Sequence, residues 1–209
     1  MYTTIVLIRH GETEWNTVGK FQGATDIPLS DNGKLQAKQL RKKFALFDDW
    51  NLIYSSPLKR ALETAEIIAS PRNIQPIICN DLTEICFGLW EGLTINDIKD
   101  KYPSEYALWI NDPVNGPICG GDLSTRNASI RAKRGILDIV DKHPGEKILV
   151  VAHGGIIKAA LIGLFNWDMT MYNKMFLKNT AVSVLKFDNN LKPILDSFND
   201  VSHLEQKTV

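Results

Sequence analysis

Three stretches of this chain place arginine or histidine at the end of an apolar run or in the first turn of the helix that follows it. They are Arg9-His10-Gly11 after TTIVLI, Ser55-Ser56-Pro57-Leu58-Lys59-Arg60 after NLIY, and His153-Gly154-Gly155 after KILVVA. If the runs are neighbouring strands, two histidines and two arginines converge on one compact basic pocket, which suits an anion. Taken singly, each residue has a duller reading. A histidine at a strand end is most often a hydrogen-bonded turn residue. An arginine in a first helical turn is most often solvated, although its charge opposes the helix dipole. Glycine marks a tight turn. A metal centre competes for the two histidines, but Arg9 beside His10 repels a cation and no HxH or HExxH spacing occurs. No metal is therefore expected.

The elements that must position these residues follow from the hydrophobic pattern. TTIVLI (3–8), NLIYS (51–55) and KILVVA (147–152) are apolar without a polar side, as parallel strands covered by helices on both faces must be. Ser30 is placed to cap a helix carrying Ala37, Leu40, Phe44 and Phe47 at spacings of three and four. Ser56-Pro57 starts another, with Leu58, Leu62, Ala65 and Ala69 on one face. A third, from about Ser124 to Lys142, aligns Ala128, Ala132, Ile136 and Val140. This alternation predicts an α/β fold with a mostly parallel central sheet and helices on both faces. The end of the chain differs: TAVSVLKF (180–187), the turn Asp188-Asn189-Asn190 and PILDSF (193–198) predict an antiparallel pair at one edge. In such sheets ligands bind beyond the carboxyl ends of the strands, where the three basic stretches fall.

Composition bounds the rest. A chain of 209 residues, 44% of them apolar, is enough for one domain with one core, and residues 1–209 are read as a single domain. The 24 basic and 24 acidic side chains cancel, so no overall field points to nucleic acid or an anionic membrane, and an anion site must be built locally. No apolar run approaches the ~20 residues that span a bilayer, and the first residues lack the pattern of a signal peptide. Cys79, Cys86 and Cys119 are odd in number and outside any CxxC spacing, so they are read as reduced thiols of a cytoplasmic protein.

The motifs taken together resemble the histidine phosphatase superfamily, also called the phosphoglycerate mutase-like family. The resemblance is carried by IRHGETEWN (8–16), FQGATDIPLSDNGKLQA (21–37), SSPLKRALETAE (55–66), LTEICFGLWEG (82–92) and VVAHGG (150–155). It implies a three-layer sandwich, metal-independent chemistry without a cofactor, and a phosphohistidine intermediate. Carried over, it implies His10 as nucleophile, and Arg9, Asn16, Arg60 and the Gly154 N–H as phosphate ligands. It also implies His153 as the second pocket histidine, Glu84 as proton donor, and Gln22 and Gly23 as substrate contacts. A phosphoryl group in transfer spreads charge over three equatorial oxygens, which two guanidiniums, an amide and a backbone N–H would hold. His10 must attack through a neutral ring nitrogen, its other nitrogen donating to an acceptor that fixes the tautomer. Glu84 must hold a proton for the leaving alkoxide, and apolar surroundings such as Phe87 and Trp90 are expected to favour that.

Within the family, mutases use an insertion rich in Lys and Arg between the acid and the second histidine. Here the interval from Gly92 to Asp122 offers Lys99 and Lys101, with Tyr102, Tyr106 and Trp109 as the aromatic face of a packed helix, and residues from about 93 to 123 are read as a helical, lid-like insertion. The phosphatase branch is therefore expected, and LTEICFGLWEG with YALWIND most resembles α-ribazole phosphatases. A phosphoglycerate mutase, or a phosphoglycerate or sugar phosphate phosphatase, is the alternative. A non-catalytic module binding a phosphorylated ligand would be expected to lose His10 or Glu84, and neither is lost. Gly120-Gly121-Asp122-Leu123-Ser124 stands where the family usually shows GGES, which questions the hydrogen bonding near the pocket entrance. The expected partner is a small phosphorylated metabolite, with no nucleic acid or membrane, and a homodimer is left open.

Overall fold

The first apolar run folds as strand β1 (Thr3–Arg9) because both its faces are covered: Ile5 and Leu7 pack with one set of helices, Val6 and Ile8 with another. In this computed structural model residues 1–204 are described, apart from 48, 113, 117–119 and 123. The reading of Cys119 thus lies outside the described residues. The order along the chain continues with helices α1 (Glu14–Thr17) and α2 (Asp31–Phe44), β2 (Leu52–Ser55), α3 (Lys59–Ala69) and β3 (Ile77–Ile78). Then come α4 (Ile95–Lys101), α5 (Pro103–Asn111), α6 (Thr125–Lys142), β4 (Lys147–Ala152), α7 (Gly154–Phe165), β5 (Val182–Phe187) and β6 (Pro193–Asp200).

The sheet order is β3-β2-β4-β1-β5-β6. The first four strands are parallel, and β5 and β6 add antiparallel pairings at the edge, as the sequence predicts. Helices α2 and α3 cover one face, with Leu40, Ala61, Ala65 and Ile68 on Val6, Ile8, Ile53 and Val151. Helices α6 and α7 cover the other, with Ala132, Ile136 and Ile157 on Ile5, Leu7 and Val150. The result is the three-layer α/β sandwich expected. The register that places Arg9 opposite Ala152, and Ser55 opposite Val151, brings the three basic strand ends side by side.

Local signals account for most boundaries. Ser30 caps α2 through its hydroxyl on the Gly33 N–H at 3.1 Å, and Ser124 caps α6 through the Asn127 N–H. Phe47 departs from the expected stripe: α2 ends at Phe44, and Phe47 is 45% exposed. The face of α3 is also turned from expectation. Leu58 and Leu62 are half-buried, while Arg60, Ala61, Thr64, Ala65 and Ile68 are buried. The rotation follows from what the helix must hold, since Arg60 and Thr64 bind polar groups that apolar periodicity does not register. Strand β5 begins at Val182 rather than at 180, because Thr180 takes a left-handed backbone with φ 56°.

Residues 93–123 contain the two short helices α4 and α5, and Trp109 packs edge-on against Phe87 and Tyr172. Asp122 exchanges hydrogen bonds with the Cys86 backbone and lies 3.6 Å from Arg131, so it pins this segment to the Glu84 loop. Among the described residues, no helix is long and apolar enough to cross a membrane.

Candidate active site

A cavity of about 250 Å³ opens over the carboxyl ends of β1 and β4. Its wall includes Arg9, His10, Asn16, Gln22, Gly23, Arg60, Glu84 and Gly154, so eight of the nine residues expected at the site meet there. His153 is the exception and stands behind them.

His10 is 3% exposed, and its Nδ1 lies 2.6 Å from the carbonyl oxygen of Gly11. A carbonyl can only accept, so Nδ1 carries the hydrogen and Nε2 keeps its lone pair. Burial first, and then the charges of Arg60 and Arg9, hold the ring pKa well below the usual histidine range. Both geometry and electrostatics thus give a neutral ring with a bare Nε2. In a ¹⁵N NMR titration His10 is expected to remain a neutral Nδ1–H tautomer from about pH 8 to about pH 6, where an ordinary histidine gains its proton. A midpoint near ~6.5 would remove this account of the His10 ring.

Arg60 is fully buried in the first turn of α3, where the helix dipole disfavours its charge. Three acceptors offset this: the Gly23 carbonyl at 2.7 Å, the Thr25 carbonyl at 2.8 Å and His153 Nδ1 at 3.1 Å. These occupy three of its five N–H groups, leaving two for a ligand. Arg9 donates to the Leu177 carbonyl at 2.5 Å, but its buried Nε has no partner, and burial pulls its pKa down to about 10. Gln22 likewise has a buried Oε1 without a partner. Unsatisfied polar atoms on a cavity wall are costly unless a ligand pairs with them.

His153 is fully buried, with its ring centroid 5.1 Å from that of His10. Because Arg60 Nε–H can only donate, His153 Nδ1 is an acceptor, and the hydrogen sits on Nε2, 2.7 Å from Ser56 Oγ. Burial and the neighbouring Arg60 keep this ring neutral as well. Its two nitrogens are thus engaged by Arg60 and Ser56, and it bears on the cavity through the Arg60 guanidinium.

Glu84 departs from its expected surroundings. Phe87 shares the cavity wall with Glu84, but the carboxylate itself is met by polar donors: Gly155 N–H at 3.0 Å reaches Oε2, while Ile156 N–H at 2.8 Å and Ile85 N–H at 2.9 Å reach Oε1. Two of these donors open α7, whose N-cap His153 supplies no side-chain cap, so Glu84 caps that helix from a distant segment. Oε1 has both lone pairs engaged and Oε2 one, leaving Oε2 as the position for a proton. The close dock explains Gly155, where an added Cβ would lie 2.8 Å from both Glu84 Oε1 and the Tyr172 hydroxyl.

Several residues of the site escaped the sequence reading. Asn179 donates to the His10 carbonyl at 3.2 Å and to Asn16 Oδ1 at 3.1 Å. With the Thr13 N–H also on Asn16 Oδ1, the Asn16 amide is oriented so that its NH₂ is left for the cavity. Thr64 accepts the Gly11 N–H at 3.0 Å. Glu91 gathers the N–H groups of Ala24, Thr25 and Phe87, fixing the loop whose carbonyls hold Arg60; it is a clamp with its oxygens occupied. Lys158 and Tyr172 also line the cavity. Thr64 and Glu91 lie within quoted motifs, which give no sign of the backbone groups they bind; Asn179, Lys158 and Tyr172 lie outside them and act across distances in sequence that leave no local pattern.

The sheet, the basic strand ends and the Glu84 dock define an enzyme of phosphoryl transfer. A sequence profile of the histidine phosphatase superfamily (branch 1) matches residues 5–201, and the chain belongs to that superfamily, as a phosphatase within it. Phosphoserine phosphatase 1 of Hydrogenobacter thermophilus is 32% identical over 200 residues, covering 96% of this chain and 93% of that protein. The crystal structure of a phosphoserine phosphatase mutant from Entamoeba histolytica in complex with phosphoserine superposes with a TM-score of 0.89 at 35% identity, over 97% of this chain and all of the other. The α-ribazole phosphatase of Shigella flexneri is similar at 26% identity and a TM-score of 0.84, over 95% and 96% of the two chains.

Proposed function

We propose that this protein is a metal-independent phosphomonoesterase that works through a phosphohistidine on His10. The observation that carries the reading is the bare Nε2 of a neutral, buried His10 on the wall of a cavity that also presents Arg9, Arg60 and Glu84. His10 Nε2 attacks phosphorus as the ester P–O bond breaks, and a proton from Glu84 passes to the leaving oxygen. Arg9, Arg60, the Asn16 amide and the Gly154 N–H hold the three equatorial oxygens. Glu84, now ionised, then takes a proton from water, whose oxygen attacks phosphorus; the N–P bond breaks and neutral His10 returns. His153 keeps Arg60 in position and adds no charge. Gln22 and Gly23 serve as substrate contacts, Gln22 through its amide and Gly23 by exposing its backbone and fixing Arg60. The whole chain acts as one catalytic unit.

The substrate is a small phosphorylated metabolite. The motif LTEICFGLWEG with YALWIND and the likeness to the Shigella protein support α-ribazole 5'-phosphate. The higher identities to phosphoserine phosphatases favour a compact phosphomonoester bearing a carboxylate, and we place that class first. A mutase reading has less support, because none of the described residues of 93–123 lines the cavity to hold a second phosphate.

The test is a rapid quench with ³²P-labelled O-phosphoserine in EDTA. Label is expected on His10 in an acid-labile, base-stable bond, with turnover unaffected by the chelator. Loss of activity that added metal restores, or label on another residue, would overturn the mechanism.

A further inference from the structure

The cavity wall contains a cation that the phosphoryl-binding set does not use. Lys158 lies in the second turn of α7, its Nζ 4.0 Å from the ring centroid of Tyr172. No hydrogen-bond acceptor or paired carboxylate holds this ammonium among the described residues. Burial pulls its pKa down to about 8, with Glu84 opposing the shift and Arg9 adding to it. A half-buried ammonium satisfied only by a ring face is a group in want of an anion. The other lysine of the wall, Lys20, differs: it lies over Trp15 and within electrostatic reach of Asp97.

The rest of the local wall limits what that anion can be. Met175, Phe176 and Leu177 add apolar surface to the same cavity wall. A single ammonium is a compact point charge with three donors, which suits a carboxylate, whereas a second phosphate dianion calls for a fork or a cluster of cations. The cavity, at about 250 Å³, is below the roughly 300–1,000 Å³ of sites that enclose drug-sized ligands. It has room for a phosphoryl group and a short carbon chain.

We propose that Lys158 binds the carboxylate of the substrate and thereby selects short phosphorylated acids over other phosphomonoesters. This assignment rests on the phosphomonoesterase reading above. Arg9 and Arg60 hold the phosphoryl group at His10, and Lys158 holds the far end, so that the ester oxygen faces Glu84.

O-Phosphoserine and O-phosphoethanolamine share the phosphate ester and the amine and differ in the carboxylate alone. The wild type is expected to prefer phosphoserine in kcat/KM. In Lys158→Met that preference should shrink about ten- to a hundredfold, mainly through KM, as for loss of a hydrogen bond to a charged group. Lys158→Gln, which keeps a polar side chain without the charge, should behave alike, and Lys158→Arg should retain most of the preference. A preference that survives in both neutral variants overturns the role of Lys158 and leaves the phosphatase reading standing. A wild type that turns over both esters equally overturns the carboxylate class, and Lys158 with it. Turnover of neither ester, with no label on His10, overturns the proposed function itself.

Discussion

Replacing His10 with alanine is expected to lower kcat on every phosphomonoester by about 10⁴-fold or more, while phosphate binding stays within about tenfold of wild type. The asymmetry follows from the division of labour in the cavity. The guanidiniums of Arg9 and Arg60 are held by backbone carbonyls and by His153, none of which involves the His10 side chain. They continue to bind the ground-state phosphate. What is lost is the nitrogen lone pair that converts transfer to water into two easier displacements. Equilibrium binding of inorganic phosphate and single-turnover kinetics separate the two effects. A kcat within about tenfold of wild type would mean that water attacks phosphorus directly and that His10 is an ordinary buried turn residue.

Substitution of Glu84 by glutamine is expected to cut single-turnover phosphoryl transfer from an alkyl phosphate by about 10²- to 10⁴-fold, with a much smaller loss from p-nitrophenyl phosphate. An alkoxide leaves poorly without a proton, whereas p-nitrophenolate departs well without one. The surroundings of Glu84 complicate the substitution. Both oxygens accept backbone N–H groups, so the NH₂ of a glutamine must face at least one donor and leave it unsatisfied, at a cost of about 1–3 kcal/mol. A thermal melt measures that structural loss. Displacement alone would slow both substrates by the same factor, so equal losses in the burst phase would end the assignment of Glu84 as proton donor. Glu91 could not replace it, since the N–H groups of Ala24, Thr25 and Phe87 and the Thr25 hydroxyl already occupy its oxygens.

What the sequence by itself determined is local in origin. The runs at 3–8, 51–55 and 147–152 are apolar on both sides because parallel strands are covered on both faces, and they were legible as strands for that reason. Ser30 and Ser124 marked helix starts because a hydroxyl three residues before an N–H is a cap wherever the helix later packs. Arg9, His10 and His153 stood out because a polar or charged group directly after a buried run is expensive without a purpose, and Arg60 because a cation in the first turn of the following helix opposes the helix dipole.

Only the tertiary structure decided that β2, β4 and β1 are neighbours in that order, which turns four separate residues into one site. It also decided the rotation of α3, the dock of Glu84 on the first turn of α7, and the grip of Asn179 on Asn16. Glu84 and Gly155 are 71 positions apart, and Asn179 and Asn16 are 163 apart. Hydrophobic periodicity reports which side of an element leaves water, and capping reports which N–H groups need a partner nearby. A hydrogen bond closed between distant segments leaves neither mark, because an asparagine before a strand suits a turn equally well whether or not its amide reaches Asn16 and the His10 carbonyl.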